Sequence, residues 1–218
     1  YSFNGDSTKL LYALESVDSG NVAPTLVNIL KGLQFNSAGT HRVLRAIASS
    51  GGADETGMAI AWILDKSKGD KIAGGTILVE LIEELRRRRV RPNGIENLAE
   101  SMAAAGDAYL PAVFTAAGAW KLDKYYDLLV THSRQSENRV AQSQAIRAIG
   151  FYQSDAARVD LNAITSGDDQ IGAVAAIEAL STFAIEQAAE SVLAMMQRGA
   201  NVKTNDALSS VLRNKKGS

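Results

Sequence analysis

Apolar residues recur every three or four positions through most of the chain. Leu10, Leu11, Leu14 and Val17 form one such stripe, Leu26, Ile29, Leu30 and Leu33 another, and Val43, Leu44, Ile47 and then Met58, Ile60, Ile63 and Leu64 continue it. This spacing puts the apolar side chains on one face of an α-helix. No alternating run of five or more residues predicts a strand. TILV (76–79) could open one, but Glu80 to Leu85 carries the segment on as helix. Between the stripes lie clusters of Gly, Ser, Asn and Asp at 18–21, 49–54, 66–70, 91–94 and 166–169, the residues that end one helix and cap the next. The pattern predicts about thirteen helices of roughly 10 to 19 residues, joined by short connections that make consecutive helices antiparallel neighbours.

The stripes also repeat at a longer interval. LYALESV (11–17) lies 33 residues before LRAIASS (44–50). FTAAGAW (114–120) lies 32 before IRAIGFY (146–152), and that lies 31 before IEALSTF (177–183). Each begins a unit with a helix built on a large–x–Ala–large element and is followed by a partner helix. A two-helix unit cannot bury its own apolar face, so a period near 32 predicts stacked helix pairs, an α-solenoid. The expected units are 6–33, 39–68, 71–105, 108–134, 137–166 and 169–199, with a capping helix over 202–214, all in a single repeat domain. The third unit is irregular: its first helix is extended through LRRRRVR (85–91), and its second is expected to start after Pro92 and Asn93.

GDDQIGAVAAIEALSTF (167–183) and SENRVAQSQAIRAIGFY (136–152) resemble HEAT-like repeats of the short, armadillo-type class, in which a polar turn leads into an aliphatic residue and an Ala-rich helix. Two features depart from that pattern. Gly172 and Ala141 stand where such repeats carry an arginine, and the spacing of 31 to 33 is shorter than the roughly 40–47 of the long form. The tetratricopeptide and ankyrin patterns are not found. The resemblance implies an all-α fold, a right-handed α-α superhelix of about six HEAT-like helix pairs, with the second helices lining a concave side. The end of the chain, FAIEQAAES through RNKKG (183–217), is similar to the close of the helical-repeat segment in large bacterial extracytoplasmic proteins, where a c-type haem domain follows. With no Cys-x-x-Cys-His present, haem would enter only through a neighbouring domain outside this chain.

Composition narrows the function classes. Of 218 residues, 46% are hydrophobic and 22% charged, which fits a folded soluble protein rather than a disordered one. Twenty-three basic residues against 24 acidic ones leave a formal charge of −1, so no global field draws the chain to nucleic acid or an anionic membrane. Zero cysteines remove disulfides, thiolate metal sites and cysteine nucleophiles. The longest apolar run, MAIAWIL (58–64), falls far short of the roughly 20 residues of a membrane helix. A chain beginning at Tyr1 is expected to be a processed protein or an excised segment. Its compartment stays open between cytoplasmic and bacterial extracytoplasmic.

The one strong charge run is RRRRVR (86–91), read either as a patch for phosphate or an acidic protein surface or as a solvated helix end. Glu83 and Glu84 stand four residues before Arg87 and Arg88, so helix pairing is expected to absorb part of the charge. His41 and His132, the only histidines, share no metal-ligand spacing. Trp62 and Trp120 lie on apolar stretches and are expected in the core. Tyr125 and Tyr126 open a second helix beside Lys121 and Lys124, where a partner-facing tyrosine is an alternative to a core role. The acidic pairs Asp54–Glu55 and Asp168–Asp169 sit at helix starts, where capping accounts for them. No phosphate-loop, dinucleotide or nucleophile-elbow motif occurs, and no catalytic residue, metal site or cofactor is predicted.

The expected function is a non-catalytic protein–protein interaction scaffold that presents a solenoid groove to a protein or peptide. Arg87, Arg91, Lys121, Lys124, Tyr125 and Tyr126 are its candidate contact residues. One alternative is a HEAT-like solenoid that cradles nucleic acid. Against it, the second helices expected at 154–166 and 185–198 carry only Arg158 and Arg198 as basic residues. A second alternative is a helical-repeat lyase or cofactor-handling protein, for which only family analogy speaks.

Overall fold

The computed structural model describes residues 22–198 except 36 and 136, together with 209, 211 and 213. Among the described residues every regular element is helical. The α-helices are α1 (Val22–Lys31), α2 (Ala38–Ser50), α3 (Ala53–Lys66), α4 (Lys71–Arg87), α5 (Ile95–Ala105), α6 (Leu110–Trp120), α7 (Tyr126–Ser133), α8 (Arg139–Tyr152), α9 (Asp155–Thr165), α10 (Gln170–Leu180) and α11 (Ile185–Gln197). Short 3-10 turns at Ser67–Gly69, Asp107–Tyr109 and Asp123–Tyr125 precede α4, α6 and α7. The first helix expected in the 6–33 unit, and most of the capping helix expected over 202–214, lie outside the described residues. Within that last segment, residues 209, 211 and 213 are helical and Val211 is buried.

Residues 76–79 belong to α4, because the buried stripe Ile77, Leu78, Leu81, Ile82 and Leu85 runs on at helical spacing without a break. α5 begins at Ile95, after Pro92 and Asn93 as expected, with Gly94 in a left-handed conformation ahead of it. One expected boundary shifts. α7 is only 8 residues long, because its expected first turn winds as a 3-10 helix that includes Tyr125.

Helix starts follow the local chemistry. The side chains of Ser37, Asp70, Asn138 and Asp169 accept hydrogen bonds from the amides of Thr40, Ala73, Ala141 and Ile171, capping α2, α4, α8 and α10. Helix ends show a second regularity. Arg89, Lys121 and Gln153, spaced 32 residues apart, each adopt positive φ (58°, 50° and 53°) just past α4, α6 and α8. At the first two, the following amide bonds back five residues, Val90 to the Leu85 carbonyl and Leu122 to the Ala117 carbonyl, both at 2.9 Å. These are left-handed helix stops made without glycine.

The chain divides into two compact units, with the boundary between Val113 and Phe114, inside α6. In the first unit α2 packs on α4, while α1, α3 and α5 pack successively on one another, so alternate helices fall into two layers. The C-termini of α2 and α4 lie side by side: Arg88, just past α4, donates to the carbonyls of Ala48 and Gly51 at the end of α2. The two helices therefore run parallel. In the second unit α8 packs on α10 and α9 on α11, again alternate helices in two layers.

Small residues set the closest approaches in that second unit. Gly118 of α6 lies against Ala148 of α8, and Gly150 of α8 lies against Ala179 of α10. Ala148 and Ala179 are the alanines of the large–x–Ala–large elements. A Cβ added at Gly150 would stand 2.8 Å from the Ala179 Cβ, so that helix crossing requires glycine.

Candidate functional site

A cleft of about 530 Å³ opens between the parallel helices α2 and α4 of the first unit. Leu44 and Ala48 of α2, with Ile77 and Leu81 of α4, make its apolar floor. They follow the helical spacing i, i+4 on each side, and each is at most 7% exposed. The rim is charged. His41, Arg45 and Ser49 stand on the α2 wall and Glu80, Glu83, Glu84 and Arg87 on the α4 wall. Glu84 and Arg87 form an ion pair at 2.6 Å, which neutralises the end of the cleft near the helix C-termini. Arg45 and Glu80 meet no ion-pair partner among the described residues, so the two walls carry opposite uncompensated charges. Volume, apolar floor and polar rim are those of a binding site for a small ligand or a few residues of a peptide.

The candidate residues read from the sequence separate when placed in the fold. Arg87 lines the cleft, held by Glu84 one turn back and not by Glu83. Arg91 lies beyond the cleft, paired with Glu96 at the start of α5. Both bonds of Glu96, to its own backbone amide and to Arg91, hold its carboxyl below the usual range. Lys121 is exposed before the 3-10 turn that precedes α7, and Lys124 is exposed within it. Tyr125 is only 7% exposed and sits in the interior, so it offers no ring to a partner: the 3-10 turn rotates it inward. Tyr126 is half-buried; its hydroxyl donates to Asp160 of α9 at 3.0 Å, and its ring meets Tyr152 edge-on at 4.9 Å. Arg134 donates to the same carboxylate at 3.3 Å. Burial, and next the Asp160 carboxylate, push the Tyr126 hydroxyl well above its ordinary pKa. Burial and the charge of Asp123 raise Tyr152 to about 12. These tyrosines join α7 to α8 and α9.

Several arginines of the run have partners within the fold. Arg88 completes the carbonyls that end α2, where its positive charge also meets the negative helix end. Arg87 and Arg91 have carboxylate partners, and Arg89 occupies the left-handed stop. Arg198 performs the same service as Arg88 in the second unit, donating to the carbonyls of Thr165 (2.8 Å) and Ser166 (3.3 Å) at the end of α9.

A polar network organises the second unit. Asp169 caps α10 and accepts from Arg139 and Gln142, each at 2.7 Å. Buried Gln142 also donates to the Ser133 carbonyl at the end of α7. Burial opposes ionisation of Asp169, but the bonds from Arg139, Gln142 and the Gly172 amide, with the charge of Arg139, hold its carboxyl below the usual value. An opening of about 430 Å³ lies beside this network, lined by Arg134, Gln142, Asp168 and Asp169 among others.

Trp62 is buried against Phe35, as the apolar stretch around it predicts. His41 is exposed on the cleft rim, while His132 is half-buried against Phe114, with ring centroids 5.0 Å apart. Among the described residues no group of three His, Asp or Glu side chains is placed to hold a metal ion, and no helix is long and apolar enough to cross a membrane. The sequence signal that could have located the cleft is the paired stripe His41–Leu44–Arg45–Ala48 and Ile77–Glu80–Leu81–Glu84, which sets charges among apolar residues on both helices. No protein-family model, curated protein or solved structure matches the chain.

Proposed function

We propose that the chain is a HEAT-like α-solenoid module that binds a segment of a partner protein without catalysis, and that the α2–α4 cleft is one of its docking sites. The observation that carries this reading is the cleft itself: two parallel helices of one layer part above an apolar floor and display charges along both walls. Supporting the repeat reading are the alternate-helix packing within each unit, the capping residues at the helix starts and the recurrent left-handed stops. The floor side chains are already largely covered, so a docked segment gains little apolar burial there, and an affinity of about 1 μM to 1 mM is expected. Extended repeat surfaces work by summing such contacts.

Nucleic-acid binding is disfavoured by the fate of the basic side chains. In α9 and at the end of α11, Arg158 pairs with Asp155 and Arg198 with backbone carbonyls, which leaves no cationic stripe on these second helices. The test is selection of peptides from a displayed random library on the whole chain, followed by titration of the selected peptides into Ser49→Trp. Ser49 is an exposed rim residue whose enlargement fills the cleft. Loss of at least tenfold in affinity is expected. Peptides that bind both proteins equally would displace the docking site from the cleft. Retention on heparin to high salt would restore the nucleic-acid reading.

A further inference from the structure

The two walls of the cleft carry charges of opposite sign. Arg45 stands on the α2 wall and Glu80 on the α4 wall; neither has an ion-pair partner among the described residues, and both are exposed. Glu84, by contrast, is neutralised by Arg87. The floor between them runs parallel to both helix axes, because α2 and α4 point the same way. We infer that the α2–α4 cleft takes an amphipathic helical segment of a partner protein, with basic residues along one flank and acidic residues along the other, and that the Arg45–Glu80 pair dictates the direction in which the segment lies.

Charge complementarity between the walls and the flanks of a docked helix sets its direction. A helix laid in the groove sets one apolar stripe on Leu44, Ala48, Ile77 and Leu81, and its two flanks then face opposite walls. If the flanks differ in sign, one direction places the basic flank at Glu80 and the acidic flank at Arg45. The reverse direction places like charges together on both sides. Rim pairs of this kind contribute little affinity but penalise the wrong arrangement, so they decide orientation and register. This inference rests on the docking reading given above.

The probe is an alanine-based helical peptide of about 15 residues with a central leucine stripe, lysines along one flank, glutamates along the other and a nitroxide at its N-terminus. It is added to isotope-labelled full chain. In the wild-type protein, broadening is expected at one end of the cleft only, either near His41 and Ile77 or near Ser49 and Glu83. The double reversal Arg45→Glu/Glu80→Arg keeps the net charge and should move the broadening to the opposite end with the affinity unchanged. Neutral Arg45→Gln/Glu80→Gln should broaden both ends. Broadening at the same end in the wild type and the double reversal overturns the inference, as does absence of any shift at Leu44 and Leu81. If library-selected peptides still depend on an open cleft while direction does not reverse, the docking site stands and the inference falls. If neither result is obtained, both fall.

Discussion

The contact of Gly150 with Ala179 tests the stacking of α8 on α10 directly. In Gly150→Ala the new methyl carbon would lie 2.8 Å from the Ala179 Cβ, against the 3.5–4.0 Å at which carbon atoms attract. The remaining neighbours, the Ala179 Cα at 3.4 Å and carbonyl oxygen at 3.6 Å, are tolerable. The clash therefore falls on one methyl group, and the helices must part by about 0.5–1 Å to relieve it. Overpacking of this kind costs about 1–3 kcal/mol. Alanine in place of a mid-helix glycine returns about 1 kcal/mol of helix propensity, so a net loss of roughly 1 kcal/mol is expected. Ala179→Gly alone should cost about 1–2 kcal/mol, from lost propensity and a lost buried methyl. The swap Gly150→Ala/Ala179→Gly removes the clash and leaves the glycine count unchanged. It should therefore be more stable than the two single losses predict by about 1–2 kcal/mol. Urea unfolding followed by far-ultraviolet circular dichroism measures all four corners of this cycle. Additive single and double variants would refute the packing of α8 against α10, and with it the repeated small-residue contact on which the stacked arrangement of the second unit depends.

Three further outcomes follow from named side chains. Asp169 is more acidic in the folded chain than when unfolded, so its contribution is fully present above its unfolded pKa of about 4 and is lost as pH falls through the lower folded value. Asp169→Asn should flatten that part of the acid unfolding curve, and an unchanged acid limb would show that the Arg139–Gln142 network does not hold the carboxylate. Gln153→Gly should stabilise the chain by roughly 1 kcal/mol, since glycine occupies φ 53° without the cost of a Cβ; destabilisation in a urea titration would contradict the left-handed stop. Arg88→Met should cost about 1–3 kcal/mol through the uncapped carbonyls of α2, whereas Arg87→Ala, which breaks an exposed pair, should cost no more than about 0.5 kcal/mol; equal thermal shifts for the two would dissolve the distinction drawn within the arginine run.

The candidate site shows where sequence reasoning stopped. Arg87 was legible as a contact residue because its charge lies in an evident run, and the cleft does include it. Arg88 stands next to it with the same chemistry, yet is spent on α2, because the carbonyls it reaches lie 37 and 40 residues away. Tyr125 and Tyr126 read alike in sequence, but a 3-10 turn, which advances each residue by a different angle from an α-turn, sends the first into the core and the second to Asp160. The left-handed stops at Arg89, Lys121 and Gln153 are not legible in the sequence because glycine, their usual signal, is missing from all three. Arg45 and Glu80 carry no sequence signal as site residues, since a lone exposed charge on a helix is ordinary until its opposite is found on a parallel neighbour.

What the sequence determined alone is the local order: helices where apolar residues recur at 3.6-residue spacing, starts at the polar clusters that end in Asp70 and Asp169, and a sequence period near 32. These depend on interactions within a turn or two, and short-range sterics and hydrogen bonding encode them residue by residue. Which helix lies beside which, and therefore that α2 and α4 run parallel and open a cleft with opposite charges on its walls, was decided only by tertiary packing. Burial of an apolar face rewards any partner of suitable shape. The choice among partners rests on contacts such as Gly150 on Ala179 and Arg88 on the end of α2, whose members are brought together only when the chain is folded.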